Sequence, residues 1–346
     1  MSIYDVNGNA ISVPAAQSLE KIIITAHRGY YVNSFQNTIE AIIEANENGF
    51  ECCEIDIHKC ADGVYVLSHN SSVTLYNNGS SASVNLASAN YSDIKTYTWD
   101  SAGKYRISTL SSALVEMKLR GMLMICDRKS GTNADIVKIA SNVGALDCIM
   151  LYYSSTNALL DVDLLNRHPN IPLRIWASDY SELKTLMSSV KNKIYCDMTP
   201  ANNNAYALAN AFACDLPILF ADCEASTANR WVPIAHGCMA KGSNNISYAQ
   251  FYELMSFDAN KPCEITANSS ASVSVGSSIT VTASSSLNEY AGFLFGYSLN
   301  PLVASTVQTG WGQNASVTVT GVSAGSTFLR FFTASGTVKD IALTVS

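Results

Sequence analysis

Charge is scarce in this chain. Only 14% of its 346 residues are Asp, Glu, Lys or Arg, against 48% hydrophobic, and the formal net charge is -7. So apolar a composition belongs to a well-packed globular protein and excludes a disordered one. The negative balance argues against nucleic acid as a partner, because that affinity needs a positive surface to displace counterions. An anionic ligand must therefore be met by local positive charge: an Arg, a Lys or a metal ion. The N-terminal stretch MSIYDVNGNAISVPAAQ lacks the basic region and apolar run of a signal peptide. No segment approaches the roughly 18–20 apolar residues that span a bilayer. Ten cysteines are present, but no two CxxC pairs stand at zinc-finger spacing. Most lie in apolar runs, where Cys acts as a small hydrophobe, so reduced core thiols are expected.

Apolar runs of strand length alternate with amphipathic stretches of helix length. The strand candidates are 22–27, 52–58, 122–127, 148–153, 172–177, 193–197, 216–221 and 237–241. Between them lie helical patterns such as NTIEAIIEANENG, STLSSALVEMKLRG, NADIVKIASNVG, SELKTLMSSVKN and NNAYALANAFACD. Eight such repeats predict an α/β fold, a (β/α)8 TIM barrel with its functional face at the C-terminal strand ends. Asp62-Gly63 before VYVLSH predicts a short returning strand. The stretch 71–107, rich in Ser, Asn and Tyr, is expected to be a long loop over the barrel mouth.

Composition shifts after Asp258. From Glu264 onward there is no Cys, no His and only five charged residues. Period-2 runs such as ASVSVGSSITVTAS, punctuated by Gly and Ser, predict a small all-β, immunoglobulin-like sandwich. The expected organisation is an N-terminal extension over 1–19, the barrel over 20–258, a linker over 259–263 and the sandwich over 264–346.

The densest chemistry lies between His27 and Asn70. His27-Arg28-Gly29 ends the first strand, Glu54-Ile55-Asp56 lies on the second, and His69 follows the third apolar run. Two histidines, two strand-borne carboxylates and an arginine are the parts that metal-assisted cleavage of a phosphate ester requires. In the order His-Arg-Gly, Gln36-Asn37-Thr38, Glu54-x-Asp56, Asp62-Gly63, His69-Asn70, this stretch resembles the glycerophosphodiester phosphodiesterase family of the PLC-like phosphodiesterases. Asp127-Arg128-Lys129 continues the likeness, where the family usually carries Glu-x-Lys.

The resemblance implies one divalent cation, Mg2+ or Ca2+, with Glu54, Asp56 and Asp127 as its ligands and His27 and His69 as general acid and base. Residues i and i+2 of a strand share a face, so Glu54 and Asp56 can hold one hard ion. Arg28 is suited to grip phosphate through its planar fork, and Lys129 adds a second positive charge. Gln36, His58, Asn70 and Trp176 are further candidates to line the site. Tyr153 could wall the pocket or belong to the core. His168, in a helix stop, is expected to be solvated, and His236 has no partner in view. The family's Glu, Asp and Glu stand here as Gln36, Asn70 and Asp127.

The expected function is hydrolysis of glycerophosphodiesters or of a glycerol-phosphate polymer of the teichoic-acid kind. The alternative is a catalytically weak or inactive barrel that binds a glycerophosphate-bearing surface, with the Ig-like module contacting a surface glycan or acting as a spacer. A leaderless chain with an Ig-like tail fits a phage virion protein made in the cytosol and used outside the cell. A trimmed extracellular enzyme and a cytoplasmic one are the other settings.

Overall fold

The computed structural model describes residues 23–176, 180–198, 263–287, 294–310, 312–333 and 337–346, with the strands at 2–4, 10–12, 218–223 and 237–241. The expected helix over NNAYALANAFACD, most of the linker, His236 and most of the N-terminal extension lie outside these residues. Two short strands, β1 (Ser2–Tyr4) and β2 (Ala10–Ser12), pair antiparallel. The barrel strands follow as β3 (Ile23–His27) and β4 (Cys52–Lys59), with α1 (Ile39–Glu47) between them and β5 (Tyr65–Leu67) folding back antiparallel on β4. A second hairpin, β6 (Ser72–Asn77) and β7 (Ser80–Asn85), precedes α2 (Tyr91–Ile94) and α3 (Leu110–Leu119). Next come β8 (Leu123–Arg128), α4 (Asn133–Asn142), β9 (Ile149–Ser154), α5 (Ser155–Leu160), α6 (Val162–Arg167) and β10 (Leu173–Trp176). The barrel ends with α7 (Tyr180–Ser189), β11 (Ile194–Met198), β12 (Ile218–Cys223) and β13 (Gly237–Lys241).

Strand order runs β3-β13-β12-β11-β10-β9-β8-β4, and β3 pairs with β4 to close the ring. All eight expected strands are present within two residues of their expected bounds. They pair parallel throughout, which requires a crossover at every step, and helices occupy the first five crossovers. The helix starts follow local chemistry: Thr38, Thr109 and Thr132 each cap a helix by accepting a backbone N–H. Gly49 stops α1 with φ of 89°.

Strand parity divides the barrel core. Cys53, Ile55 and Ile57 of β4 pack outward in the cluster beneath the helices. Cys52, Ile125, Met150, Tyr195 and Leu219 form a separate cluster inside the barrel. The seven cysteines with described side chains are free thiols, six of them buried.

The stretch 71–107 departs from the expected loop. Its β6–β7 hairpin turns at Asn78-Gly79, whose φ values of 49° and 81° are those of a tight type I′ turn. Val73, Leu75 and Val84 of the hairpin pack with Leu86, Ile94, Ile107 and Trp99 in a small core of their own. The Asn-Gly pair and the alternation in SVTLYN were the signals for this hairpin, hidden by a Ser/Asn-rich composition.

The last region comprises β14 (Ile265–Ala267), β15 (Ser270–Val273), β16 (Ser278–Ser285), β17 (Leu294–Ser298), β18 (Ala304–Gly310), β19 (Asn314–Gly321), β20 (Gly325–Thr333) and β21 (Val338–Val345). They form two four-stranded sheets, ordered β14-β16-β19-β18 and β15-β21-β20-β17. Residues of both sheets, such as Val281 and Val317 of one and Leu329 and Ile341 of the other, share one core.

One glycine links fold to site. Gly29 follows β3 at φ of 79°, and a Cβ there would sit 2.7 Å from the Ala41 Cβ and 2.9 Å from the Ala41 backbone. Both the turn and the approach of α1 to β3 demand a residue without a side chain. Gly29→Ala is expected to lose about 1–3 kcal/mol in denaturant unfolding. An unchanged midpoint would show that α1 can shift without loss.

Candidate active site

Strand pairing brings the acidic residues together. His27 lies opposite Glu54 in the β3–β4 register, and Asp56 opposite Asp127 in the β4–β8 register. Glu54 and Asp56 point into the barrel because their odd-numbered neighbours face the helices. They are 3% and 1% exposed. Ligand oxygens of Glu54, Asp56 and Asp127 all lie within 4.8 Å of one another.

Burying acids side by side is costly unless cations answer them. Burial, then the charges of Asp56 and Asp127, push the Glu54 carboxyl well above the usual carboxylate range. Lys129 Nζ stands 3.0 Å from Asp56 Oδ1 and 2.7 Å from Asp127 Oδ2. Arg28 Nε is 3.2 Å from Asp56 Oδ2, and its Nη1 donates to Gln36 Oε1 at 2.9 Å. His27 Nε2 lies 3.7 Å from Glu54 Oε2. Both expected phosphate-gripping side chains are thus held against the carboxylates.

The backbone around Arg28 is unusual. Arg28 and Asn37 both adopt left-handed conformations, with φ of 61° and 56°. The Arg28 N–H donates to the Glu54 carbonyl at 2.8 Å, and the Asn37 N–H donates to the Arg28 carbonyl at 2.9 Å. Asn37 Nδ2 donates to Asp56 Oδ2 at 2.8 Å, while its Oδ1 accepts from the Asp56 N–H at 3.0 Å. Asn37 was missed as a site residue, although it lies in the Gln-Asn-Thr triplet. Its tolerance of a left-handed turn beside a capping Thr was the available signal.

The second histidine stands slightly apart. His69, exposed, has Nδ1 at 3.0 Å from Asn70 Oδ1, which suits an Nδ1–H and leaves Nε2 open. His58 lies beneath it, with Nε2 at 3.3 Å from the His69 carbonyl and Nδ1 at 3.3 Å from Ser130 Oγ. His58 therefore supports the His69 loop, and burial is the first cause that lowers its pKa. Trp176 ends β10, and among the described residues no hydrogen bond, ion pair or ring contact joins it to the acidic cluster. Tyr153 belongs to the helix-facing core and donates to Asp161 at 2.9 Å, so it does not wall the site. His168 caps α6.

A buried triad on the inward face of β9–β11 had no counterpart in the sequence reading. Arg174 pairs with Asp197 through Nε at 2.8 Å and through Nη2, and the Tyr152 hydroxyl donates to Asp197 at 2.7 Å. Arg174 contributes positive charge toward Glu54, opposing its rise.

The three carboxylates fit a hard divalent cation, which prefers oxygen ligands at about 2.0–2.6 Å and so accepts oxygens a few ångströms apart. Their inward placement on adjacent strands makes them an acidic cluster able to bind a metal.

Two outcomes test this geometry. Asn37→Gly keeps the turn but removes both bonds to Asp56, and should cost about 1–3 kcal/mol in unfolding free energy. Asn37→Asp, which puts a fourth carboxylate against Asp56, should cost more, and equal stability of both variants would deny Asn37 its role. For His58, the folded protein resists protonation, so its contribution is full above the ordinary pKa of 6.5 and declines as pH falls below it. Thermal midpoints of wild type and His58→Gln, compared across that range, should show a shallower acid-side decline in the variant. Parallel profiles would contradict this.

Comparison with known proteins adds to this geometry. A glycerophosphodiester phosphodiesterase of Arabidopsis thaliana is 27% identical over 158 residues, 43% of this chain and 47% of that protein. The chain thus spans about half the length of this curated relative. Among solved structures, a glycerophosphodiester phosphodiesterase from Parabacteroides distasonis superposes with a TM-score of 0.53 at 16% identity, covering 67% of this chain and 95% of that one. A phosphodiesterase from Oleispira antarctica, solved with its product sn-glycerol-3-phosphate, superposes with a TM-score of 0.54 at 15% identity, covering 67% and 96%. These likenesses establish a TIM-barrel-like fold. Residues 27–173, which include every charged residue of the His27–Lys129 cluster, match the model of the Glycerophosphoryl diester phosphodiesterase family.

Proposed function

We propose that this chain is a metal-dependent phosphodiesterase that hydrolyses glycerophosphodiesters or a glycerol-phosphate polymer. The observation that carries the reading is the buried cluster of Glu54, Asp56 and Asp127, with Arg28, Lys129 and His27 against it, inside the segment that matches the family. When bound, a divalent cation such as Mg2+ or Ca2+ supplies positive charge to the phosphate oxygens and neutralises the acids. Glu54, Asp56 and Asp127 are its ligands in this reading. Freed from the carboxylates, Arg28 presents its planar fork to the phosphate, and Lys129 adds a point charge beside it.

The two histidines divide the proton traffic. His27, beside Glu54, accepts the proton of the attacking hydroxyl, whose oxygen forms the new bond to phosphorus. Its imidazolium is stabilised by the neighbouring carboxylate. His69 gives a proton through Nε2 to the departing alkoxide as the other phosphorus–oxygen bond breaks. Asn70 orients that ring. The hydroxyl that attacks is water or the neighbouring hydroxyl of the glycerol unit.

The C-terminal region is read as an Ig-like module. Its sheet orders, β14-β16-β19-β18 and β21-β20-β17 with β15 added, follow the ABED and GFC pattern of that fold. Service as a surface-contacting module or spacer on a virion or secreted protein is consistent with its Ser/Thr-rich faces. No helix among the described residues is long and apolar enough to cross a membrane.

Turnover of glycerophosphodiesters should disappear with chelator and return on adding Mg2+ or Ca2+. His27→Ala and His69→Ala should each lose about 10²–10⁴-fold in kcat/KM. His168→Ala, at a helix end remote from the cluster, should change little. Glu54→Gln and Asp56→Asn should abolish divalent-cation binding by calorimetry. Wild-type protein that binds glycerol phosphate yet cleaves no diester with any cation would instead establish the binding-module reading.

A further inference from the structure

An open cavity of about 300 Å³ lies beside the acidic cluster, flanked by β6 and the loops carrying Phe35, His69 and Trp99. It shares His69 with the site. Two more of its walls, Gln36 and Asn37, are the side chains held by Arg28 and Asp56. The cavity is therefore contiguous with the reacting centre. On one wall the rings of Phe35 and Trp99 stack, with centroids 5.2 Å apart and planes 12° from parallel. Opposite in chemistry are the amide of Asn70 and the hydroxyls of Ser72 and Thr74. Among the described residues, no Asp, Glu, Lys or Arg lines it. The Trp99 indole N–H is hidden from solvent and has no acceptor among the described residues.

We propose that this cavity receives the departing alcohol and selects an uncharged polyol, a glycerol or sugar unit, over an ammonium headgroup. The inference rests on the phosphodiesterase reading and names its substrate class. A polyol presents C–H faces that lie on aromatic rings and hydroxyls that pair with amides and hydroxyls. Among the described lining residues, an ammonium group finds neither a carboxylate nor a cage. The two rings lie parallel and cover each other, so they do not converge on a cation. The two charges bonded to the wall, Arg28 through Gln36 and Asp56 through Asn37, are paired with each other and leave no free carboxylate facing an ammonium there. A long apolar alcohol is disfavoured as well, because it would leave the polar wall unpaired. With the polyol in place, its bridging oxygen lies on the His69 side. It takes the His69 proton as its bond to phosphorus breaks, while the attacking oxygen forms the new one.

The test compares kcat/KM for glycerophosphoglycerol, glycerophosphoinositol, glycerophosphocholine and the methyl ester of glycerol phosphate, which has no headgroup to fill the cavity. The glycerol and inositol esters should exceed the choline ester by about tenfold or more. Trp99→Leu should lower the ratio of inositol ester to methyl ester by about tenfold, through KM. Trp99→Phe, which keeps the stack, should retain most of that ratio. Thr74 is exposed, so Thr74→Ala tests the polar wall without threatening the fold and should lower the same ratio. Choline ester turned over as well as glycerol ester, or all four esters falling equally in these variants, overturns the proposal. If no ester is hydrolysed, the phosphodiesterase reading fails first. The cavity is then judged by saturation-transfer NMR with inositol phosphate and phosphocholine, where equal binding of the two overturns it.

Discussion

The buried pair Glu54 and Asp56 is the constraint on which the rest of the barrel mouth depends. Two carboxylates on one strand, almost without solvent, are tolerable only if the surroundings answer their charge and their lone pairs. The surroundings do so from three directions. Lys129 comes from the strand end next door, Arg28 from the turn after β3, and Asn37 from the loop before α1. Each of these placements has a structural consequence. Arg28 and Asn37 adopt left-handed backbone to reach inward, and Gly29 must be glycine so that α1 can lie against the turn that holds them. Strain of this kind persists only where the surrounding structure over-determines it.

The same logic explains why the cations are shared. Lys129 bridges Asp56 and Asp127, while Glu54 stands beside His27 and feels the positive charge of Arg174 and Lys129. Burial and the charges of Asp56 and Asp127 make Glu54 hard to ionise, so it gains from a further positive charge. Arg174 is not free to supply it fully, because Asp197 and Tyr152 engage it on the other side of the barrel. The interior thus grades from an apolar cluster around Met150 and Leu219 to a paired ionic layer and the acidic cluster. A barrel built this way gathers its acids and their cationic partners at its C-terminal face, where loops can vary without disturbing the core.

Around that face, the β6–β7 hairpin adds a separate wall with its own small core. It gives Ser72 and Thr74 fixed positions beside His69, which a flexible loop would not. His58 contributes from below, tying the His69 carbonyl to Ser130 on the loop after β8. The exposed histidine is in this way connected to two strands of the barrel although it belongs to neither.

Much was legible in the sequence for reasons of period and composition. Eight apolar runs separated by helical spacers pointed to a parallel barrel, and the absence of Cys and scarcity of charge from Glu264 onward marked an all-β region. Strand parity alone places Glu54 and Asp56 on one face, since that period is a property of the pleat. What tertiary structure alone decided were the partnerships between segments far apart in the chain. Asn37 meets Asp56 because of a turn conformation that its residue type permits but does not require. Arg174 and Tyr152 meet as register partners, and Asp197 lies two residues beyond Tyr195, the partner of Arg174 on β11, so all three share the inward face; register is a property of the closed sheet. The choice of His69 over His58 as the open imidazole was likewise decided by packing: both end apolar runs, but only one is sealed between a carbonyl and a hydroxyl.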